Sequence, residues 1–427
     1  MSIALSAWLA VFALSFVIGM PIAFGMLSAS VVYFAISGLD MGTITEVMVF
    51  GFEDKFVLLA VPLFIFTARV MNSGGITERI FDFAGSMVGH LRGGLAHVNV
   101  TASVIFSGMT GSAIADASGL GLMEIKAMDD AKYDRPFSCA VTIASATIGP
   151  IIPPSIPMVI YAMLSDASVG KLFLGGVVPG LIMAGAMMGL IHWIALKRGY
   201  PSGARPSMQI FTRSLKRAFL PLMTPAILLG GIYTGAFTPT EAAAVAAVYA
   251  LVLLAFVYRS FGLTEMRSVI RDTVESTGFL GIIIAAAFIF GYVIAREQIP
   301  ATLAETVLGI TTNKWALLLL VNLLFLVLGC FIDTIVLLLV VVPIVMPVIT
   351  GAGIDPVHFG VVIVLNMMIG LATPPFGMLL FVTGGLTKTP LAPIIREMWP
   401  FIAVLVAVLL LCTYVPQSVM WLPELLG

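Results

Sequence analysis

Hydrophobic side chains occur along this chain in long runs, separated by short polar segments. Ten uninterrupted runs approach or exceed the roughly 20 residues that a helix needs to cross a bilayer. They cover 3–19, 21–38, 55–73, 136–165, 170–196, 218–236, 240–258, 275–296, 358–386 and 398–416. Runs of this length predict transmembrane helices, and we therefore expect an all-α polytopic membrane protein.

Two further apolar runs are interrupted near their centres by glycine or polar residues. They cover about 95–127 and about 313–350. Each half is too short for a full crossing of roughly 30 Å, so we expect two re-entrant helical hairpins that enter and leave on the same side. The segment 76–92 has charges on one side of an apolar pattern, which is typical of an interfacial arm helix. Its expected counterpart is 297–312.

Composition excludes a water-soluble protein. The chain is 60% hydrophobic and 10% charged, whereas soluble domains carry about 25% charged residues. The net charge of −1, with basic residues clustered in one loop, gives no sign of a nucleic-acid partner. The three cysteines, Cys139, Cys330 and Cys412, are far apart and show neither metal nor disulfide spacing.

The distribution of charge predicts the orientation in the membrane. Residues 198–217, with Lys197 before them, carry six basic side chains and no acidic one, which is typical of a cytoplasmic loop. Counting spans outward from this loop places the N-terminus on the outer side of the membrane. Four of the 21 Lys and Arg residues then lie away from the cytoplasmic side: Lys55, Lys171, Arg296 and Lys314. The outer loops are instead acidic, as at Asp40, Glu46, Glu53 and Asp54. The first run has no basic residue before it, so we interpret it as a retained helix and not as a cleaved signal peptide.

An internal repeat becomes visible when the sequence is shifted by 221 positions. "IGPIIPP" at 148–154 then aligns with "IGLATPP" at 369–375. Gly108 aligns with Gly329, and we expect these two glycines to lie at the tips of the two hairpins. Asp134 aligns with Asp355 at the same offset. We predict two repeats, 1–197 and 218–427, joined by the basic loop 198–217. Each has five spans and one hairpin, and because five is odd, the second repeat is inverted relative to the first.

The aligned prolines predict that helices 136–165 and 358–386 are both broken, because proline removes a backbone donor and collides with the preceding turn. A broken helix in hydrocarbon leaves backbone groups that need partners. Inverted repeats with matching broken helices indicate the binding site of a secondary transporter. A proline kink in a packed helix explains one such pair, but not two in equivalent positions.

Five stretches together resemble the large membrane subunit of tripartite ATP-independent periplasmic (TRAP) transporters. They are "SGMTGSAIADASGLG" (107–121), "IGPIIPPSIPMVIYA" (148–162), "GGIYTGAFTPTEAAAVAAVYA" (230–250), "GCFIDT" (329–334) and "HFGVVIVLNMMIGLATPPFGMLLFV" (358–382). The resemblance implies an elevator-type transporter in a bacterial cytoplasmic (inner) membrane. A sodium gradient would drive uptake of an organic acid, of the sialic acid or C4-dicarboxylate class. A periplasmic binding protein would deliver the acid, and a separate small four-helix membrane subunit would accompany this chain.

Two other functions compete with this interpretation. A stand-alone sodium–carboxylate symporter shares the plan of hairpins and broken helices and needs no binding protein. An intramembrane enzyme needs a polar catalytic set or a metal motif, and neither occurs here at a suitable spacing. We therefore expect a transporter and not an enzyme.

Sodium is expected where carbonyls freed at the breaks meet hydroxyls of the hairpin tips. The candidate first sodium site is Ser103, Ser107, Ser112, Gly149 and Pro153. The candidate second site is Gly329, Asp333, Thr334, Gly370, Thr373 and Met378. The candidate substrate contacts are Ser155, Asn366 and Asp116.

Each of these assignments has a structural alternative. Serines in membrane helices often bond to their own backbone, and Asp116 is equally suited to capping a hairpin helix. Glu241 follows "TPT" and is expected to stabilise a first helical turn. Arg69 is expected to end a span at the cytoplasmic interface.

Overall fold

A computed structural model describes residues 2–53, 55–73, 75–203, 207–259 and 262–426. Within these ranges the chain is helical, and its one β-type contact is an isolated bridge between Arg92 and Ser202. The predicted all-α membrane fold is confirmed. Asp54 and residues 204–206 of the basic loop lie outside the described residues.

In the first half of the chain, the described residues form eleven α-helices. They are α1 Ile3–Val17, α2 Ile22–Ser37, α3 Gly42–Glu53, α4 Ala60–Asn72, α5 Ile76–Val88, α6 Gly94–Thr110, α7 Ala113–Ser118, α8 Leu120–Asp130, α9 Arg135–Ala146, α10 Ile156–Ser165 and α11 Val169–Arg198. A 3₁₀ turn, Phe56–Leu59, leads into α4.

In the second half, the part of the chain that the structure describes forms ten α-helices. They are α12 Met208–Tyr233, α13 Pro239–Val252, α14 Leu263–Arg296, α15 Ile299–Ile310, α16 Lys314–Gly329, α17 Thr334–Gly351, α18 Pro356–Leu371, α19 Met378–Thr387, α20 Leu391–Tyr414 and α21 Gln417–Leu426. A π-helical turn, Leu253–Tyr258, continues α13.

The two halves share an order of elements from the hairpin onward. A hairpin, the first part of a broken helix, a second part and a long helix follow one another in both. Asp134 and Asp355 are the N-cap residues of α9 and α18, and both breaks contain a Pro-Pro pair. This order is what a repeat predicts. The inversion, the repeat boundaries and the elevator movement stay predictions.

Helix starts follow the capping residues of the sequence. The Thr238 side chain accepts from the Glu241 amide, and the Glu241 carboxylate accepts from the Thr238 amide, in a complete capping box at the start of α13. The expected role of Glu241 is therefore confirmed.

Among the described residues, six helices are long and apolar enough to cross a membrane by themselves: α11, α12, α13 with its continuation, α14, α17 and α20. Helices α4 and α5 meet at a 75° bend and make a seventh span if they are counted together. The 18-residue α17 is longer than the sequence analysis expected of a hairpin leg. Its two prolines, Pro343 and Pro347, lie inside the helix without ending it.

The first hairpin turns later than predicted. Gly108 lies inside α6, and the tip consists of Gly111 and Ser112. Gly111 ends α6 with φ of 58°, a left-handed conformation that glycine adopts without strain. Ser112 then begins α7 as its N-cap. Helices α3 and α21 were not predicted, because polar residues shorten the apolar run in α3 and Pro423 interrupts α21.

The broken helices occupy the centre of the molecule. Ten of the twelve residues of α9 and fifteen of the sixteen residues of α18 are buried. By contrast, α3 and α15 bury no residue and lie at the periphery. The first break is also buried, apart from the half-buried Ile152, which is where interrupted backbone is tolerated in a membrane protein. The second break is partly exposed, at Pro375 and Phe376.

Candidate functional site

The tip of the first hairpin lies directly against the first helix break. A Cβ atom added to Gly111 would overlap the carbonyl of Pro154. One added to Gly149 would lie 3.6 Å from the carbonyl carbon and oxygen of Ser112. The structure therefore brings together Ser112 at the hairpin tip with Gly149 and the Pro153–Pro154 segment of the first helix break.

The second hairpin meets the second break through a glycine pair. A Cβ atom on Gly370 would lie 2.7 Å from the carbonyl carbon of Gly329, and one on Gly329 would lie 3.4 Å from the Gly370 Cα atom. Real Cβ atoms do not approach backbone as closely as 2.7 Å. The contact between α16 and α18 thus depends on the absence of a side chain at Gly370.

Both hairpins border one cavity of about 970 Å³. Its walls include the first tip, the start of the second hairpin's α17, the starts of α10 and α19, and the flanking helices α4 and α14. Four of the sequence candidates line it: Ser112, Asp333, Thr334 and Met378. A smaller cavity of about 230 Å³ is lined by Gly329, Asp333 and Met378 among others. Asp333 and Met378 therefore border both cavities.

Asp333 combines a structural role with access to the cavities. Its Oδ1 accepts a hydrogen bond from the Ile335 amide at 2.9 Å and so caps α17. Beside it, the buried Thr334 hydroxyl has no hydrogen-bond partner within the part of the chain described. An oxygen-rich corner of this kind suits a hard cation, which prefers oxygen ligands.

The other hydroxyl groups of the two candidate sodium sites differ in their hydrogen-bond partners and in their position relative to the cavities. Ser107 donates to the Val104 carbonyl at 2.6 Å, and Thr373 donates to the Ile369 carbonyl at 2.6 Å. Ser112 accepts from the Ala115 amide at 3.4 Å, and Ser103 is buried inside α6. Ser103, Ser107 and Thr373 do not line either cavity.

The three candidate substrate residues all lie away from the two cavity walls. Ser155 caps α10, because its hydroxyl accepts from the Met158 amide at 3.2 Å and also donates to the Pro150 carbonyl. Asn366 donates to Asn322 Oδ1 at 3.0 Å and joins α18 to α16. These two side chains make contacts that hold the broken helices in place.

An equivalent polar contact holds the first hairpin to its broken helix. Ser145 Oγ donates to Asn99 Oδ1 at 2.7 Å, and Asn99 Nδ2 donates to Thr142 Oγ1 at 2.7 Å. Ser145 precedes Asn366 by the same 221 positions that relate the two halves. In both halves an asparagine on a hairpin leg is thus hydrogen-bonded to the first part of the broken helix.

The third substrate candidate, Asp116, is buried in the first hairpin beside another acid. Asp116 and Glu124 are each 1% exposed, and their carboxylate oxygens have no hydrogen-bond partner in the ranges the structure covers. Asp116 therefore does not cap α7, a role that Ser112 fills. Sequence reasoning missed Glu124, because an acid followed by Lys126, Asp129 and Asp130 in "GLMEIKAMDD" resembles an exposed position of a polar helix end.

One cationic side chain on the cavity wall was also missed as a site residue. Arg69 lies in the last turn of α4, as a span end predicts, but it also lines the large cavity. Its Nη2 donates to Ser276 Oγ on α14 at 3.4 Å. No sequence pattern indicates this position, because only the packing of α4 against the first hairpin places the end of α4 at a cavity wall.

The fold and the site define a class of protein: a helical membrane protein with hairpins and broken helices around a common cavity. The solved structure of the Alcanivorax borkumensis YdaH transporter is similar over 89% of this chain and 87% of its own, with a TM-score of 0.63 and 16% sequence identity. At that identity the likeness establishes the fold alone.

Sequence comparison then gives the family. The family profile described as "Tripartite ATP-independent periplasmic transporter, DctM component" matches residues 9–418. This chain belongs to that family, and it is a multi-pass inner-membrane protein. The resemblance seen in the sequence is confirmed.

Three relatives illustrate the range within the family. The sialic acid TRAP transporter large permease protein SiaM of Vibrio cholerae is 46% identical over 407 residues, covering 95% of each chain. The sialic acid TRAP transporter permease protein SiaT of Haemophilus influenzae is 40% identical, over 99% of this chain and 68% of its own. The C4-dicarboxylate TRAP transporter large permease protein DctM of Pseudomonas aeruginosa is 40% identical, over 89% of each.

Proposed function

We propose that this chain carries out sodium-coupled secondary uptake of an organic acid that a periplasmic binding protein hands over. The observation that carries the proposal is the single cavity of about 970 Å³ bordered by both hairpins and both broken helices. Relatives named for sialic acid and for C4-dicarboxylates support an organic acid as cargo. The higher identity to SiaM, 46% against 40% for the Pseudomonas DctM, makes sialic acid the first acid to test.

Sodium ions occupy the two places where a hairpin meets a break. In the first, Ser112 and the main chain at Gly149 and Pro153 supply oxygen, with Ser103 and Ser107 on the adjoining helix. In the second, the donors come from Gly329, Asp333, Thr334, Gly370, Thr373 and Met378. Support comes from the contact of tip and break in both halves and from the position of Asp333 on two cavities.

Transport follows an elevator movement, in which the hairpins and broken helices slide as one body against the other helices. The hydrogen bonds Asn99–Ser145 and Asn322–Asn366 support this division, because they tie each hairpin to its own broken helix. Helices α4 and α14 pack against each other and line the cavity from the other side. They belong to the scaffold in this scheme.

The chain acts with a small four-helix membrane subunit. The N-terminus of the chain itself is periplasmic. The basic segment 198–217 supports that orientation through the positive-inside rule. The family description supports a periplasmic partner.

The test is uptake into proteoliposomes containing this chain and its small partner, with cognate binding proteins and labelled N-acetylneuraminate or succinate outside. We expect uptake with an inward sodium gradient and none when potassium replaces sodium. Equal uptake in potassium would overturn sodium coupling. Undiminished uptake without any binding protein would favour the stand-alone symporter instead.

A further inference from the structure

The large cavity has a single cationic side chain among its described lining residues, and that side chain is Arg69. Most of the wall is apolar, and its other ionisable groups are the acids Glu78 and Asp333. Arg69 is exposed to the cavity and forms no ion pair within 4.0 Å in the described chain. An unpaired cation at an apolar cavity wall calls for an anionic partner.

The position of Arg69 leaves its guanidinium available. Its one hydrogen bond in the described chain, from Nη2 to the Ser276 hydroxyl at 3.4 Å, is long and goes to a neutral acceptor. Arginine stays charged in proteins and presents a planar set of donors that fits a carboxylate with two parallel hydrogen bonds. Ser276 on α14 thus holds the side chain against the wall and leaves further N–H donors unused.

Neither of the two acids on the cavity wall acts as the anionic partner of Arg69. Asp333 is engaged as the cap of α17 through the Ile335 amide. Glu78 lies in the first turn of α5, where a negative charge is stabilised by the helix dipole. Neither forms an ion pair with Arg69, so the guanidinium remains free for a ligand.

We propose that Arg69 binds the carboxylate of the cargo and sets the preference of this site for acids over neutral analogues. The inference rests on the proposed function and extends it by naming the side chain on α4 that recognises the acid. The cargo then lies between Arg69 on the α4–α14 wall and the hairpin tips on the other side of the cavity. Arg69 is accordingly a specificity-determining residue outside both sodium sites.

The test compares Arg69→Gln, Arg69→Lys and Ser276→Ala with the parent chain, each purified with the small subunit. Arg267→Gln is the matched control, because Arg267 is exposed on the same helix as Ser276 and does not line the cavity. Binding is followed by the thermal stabilisation that N-acetylneuraminate or its methyl ester confers, and uptake is measured in proteoliposomes at saturating binding protein.

We expect Arg69→Gln to weaken apparent binding of the acid by about tenfold or more, as loss of a charged hydrogen bond does. Binding of the methyl ester should not change, so the preference for acid over ester disappears. Arg69→Lys should restore most of the affinity, Ser276→Ala should lower it less than Arg69→Gln, and Arg267→Gln should match the parent. The sodium concentration for half-maximal uptake should stay unchanged in all four.

A parent-like acid-to-ester preference in Arg69→Gln would overturn this inference and leave the proposed function intact. If Arg69→Gln does not fold, the Arg69→Lys and Ser276→Ala variants test the inference instead. Affinity for the acid that is lost in Arg69→Lys but parent-like in Ser276→Ala would contradict recognition of the carboxylate by positive charge. Absence of any acid uptake by the parent chain, with every binding protein, would overturn the proposed function itself.

Discussion

At the residue scale, Asp333 and Asp355 both cap the start of a helix, and only their surroundings distinguish their functions. Asp333 caps α17 and Asp355 caps α18, each by accepting backbone amides. Asp333 also lines both cavities, whereas Asp355 lines neither. The Asp333 carboxylate is therefore available to a cation in the cavity, whereas the Asp355 carboxylate only caps its helix.

Asp333→Asn should therefore impair sodium use without unfolding the chain. Asparagine is as good an N-cap as aspartate, so the melting temperature should change little. The lost negative charge should raise the sodium concentration for half-maximal uptake by about tenfold. Asp355→Asn is the matched control and should leave the sodium response unchanged. A parent-like sodium response in Asp333→Asn would remove this residue from the second site.

Thr373→Ala provides a second residue-scale test. Thr373 lies between α18 and α19, at the break itself, and donates to the Ile369 carbonyl. Removing its hydroxyl should raise the sodium requirement of uptake severalfold, because an oxygen ligand is lost. Thr350→Ala removes a hydroxyl that bonds the Met346 carbonyl in the same way, but in the last turn of α17. Equal sodium responses in the two variants would show that Thr373 acts only on its own backbone.

At the element scale, each hairpin comes so close to its broken helix at one glycine, Gly111 or Gly370, that no side chain fits there. Proline spacing was sufficient to predict both breaks, because the loss of backbone donors is a local property. The hairpins were predicted from interrupted apolar runs. The turn at Gly111 was misplaced to Gly108, because two glycines lay close together and only the left-handed conformation of Gly111 marks the end of α6.

The close contact at Gly370 can be tested by replacing this glycine with alanine. Alanine there would place its Cβ atom 2.7 Å from the Gly329 carbonyl carbon, so α16 and α18 must separate. We expect uptake to be lost and stability to fall by about 1–3 kcal/mol, as in overpacked cores. Gly189→Ala in α11 is the control, because its Cβ atom would meet nothing within 4 Å. Normal uptake and stability in Gly370→Ala would show that the close approach is not needed.

At the scale of the whole molecule, two interruptions more than two hundred residues apart in the chain border one cavity. The repeat made this convergence predictable, since equivalent breaks in related halves are expected to meet. The cavity wall could not be predicted, because Arg69, Ser276 and Asn72 reach it through packing of helices from both halves. For the same reason the candidate substrate residues Ser155 and Asn366 lie off the wall and hold the elements together.

The most direct measurement is a structure of the purified chain with its small subunit in thallium, a heavy monovalent cation that scatters anomalously. We expect two thallium positions that sodium displaces. One lies between Ser112 and the Gly149–Pro153 segment, and the other lies among Asp333, Thr334 and Thr373. Thallium absent from both places, under conditions where the protein transports its acid, would contradict the claim that hairpin tips and helix breaks hold the coupling ions.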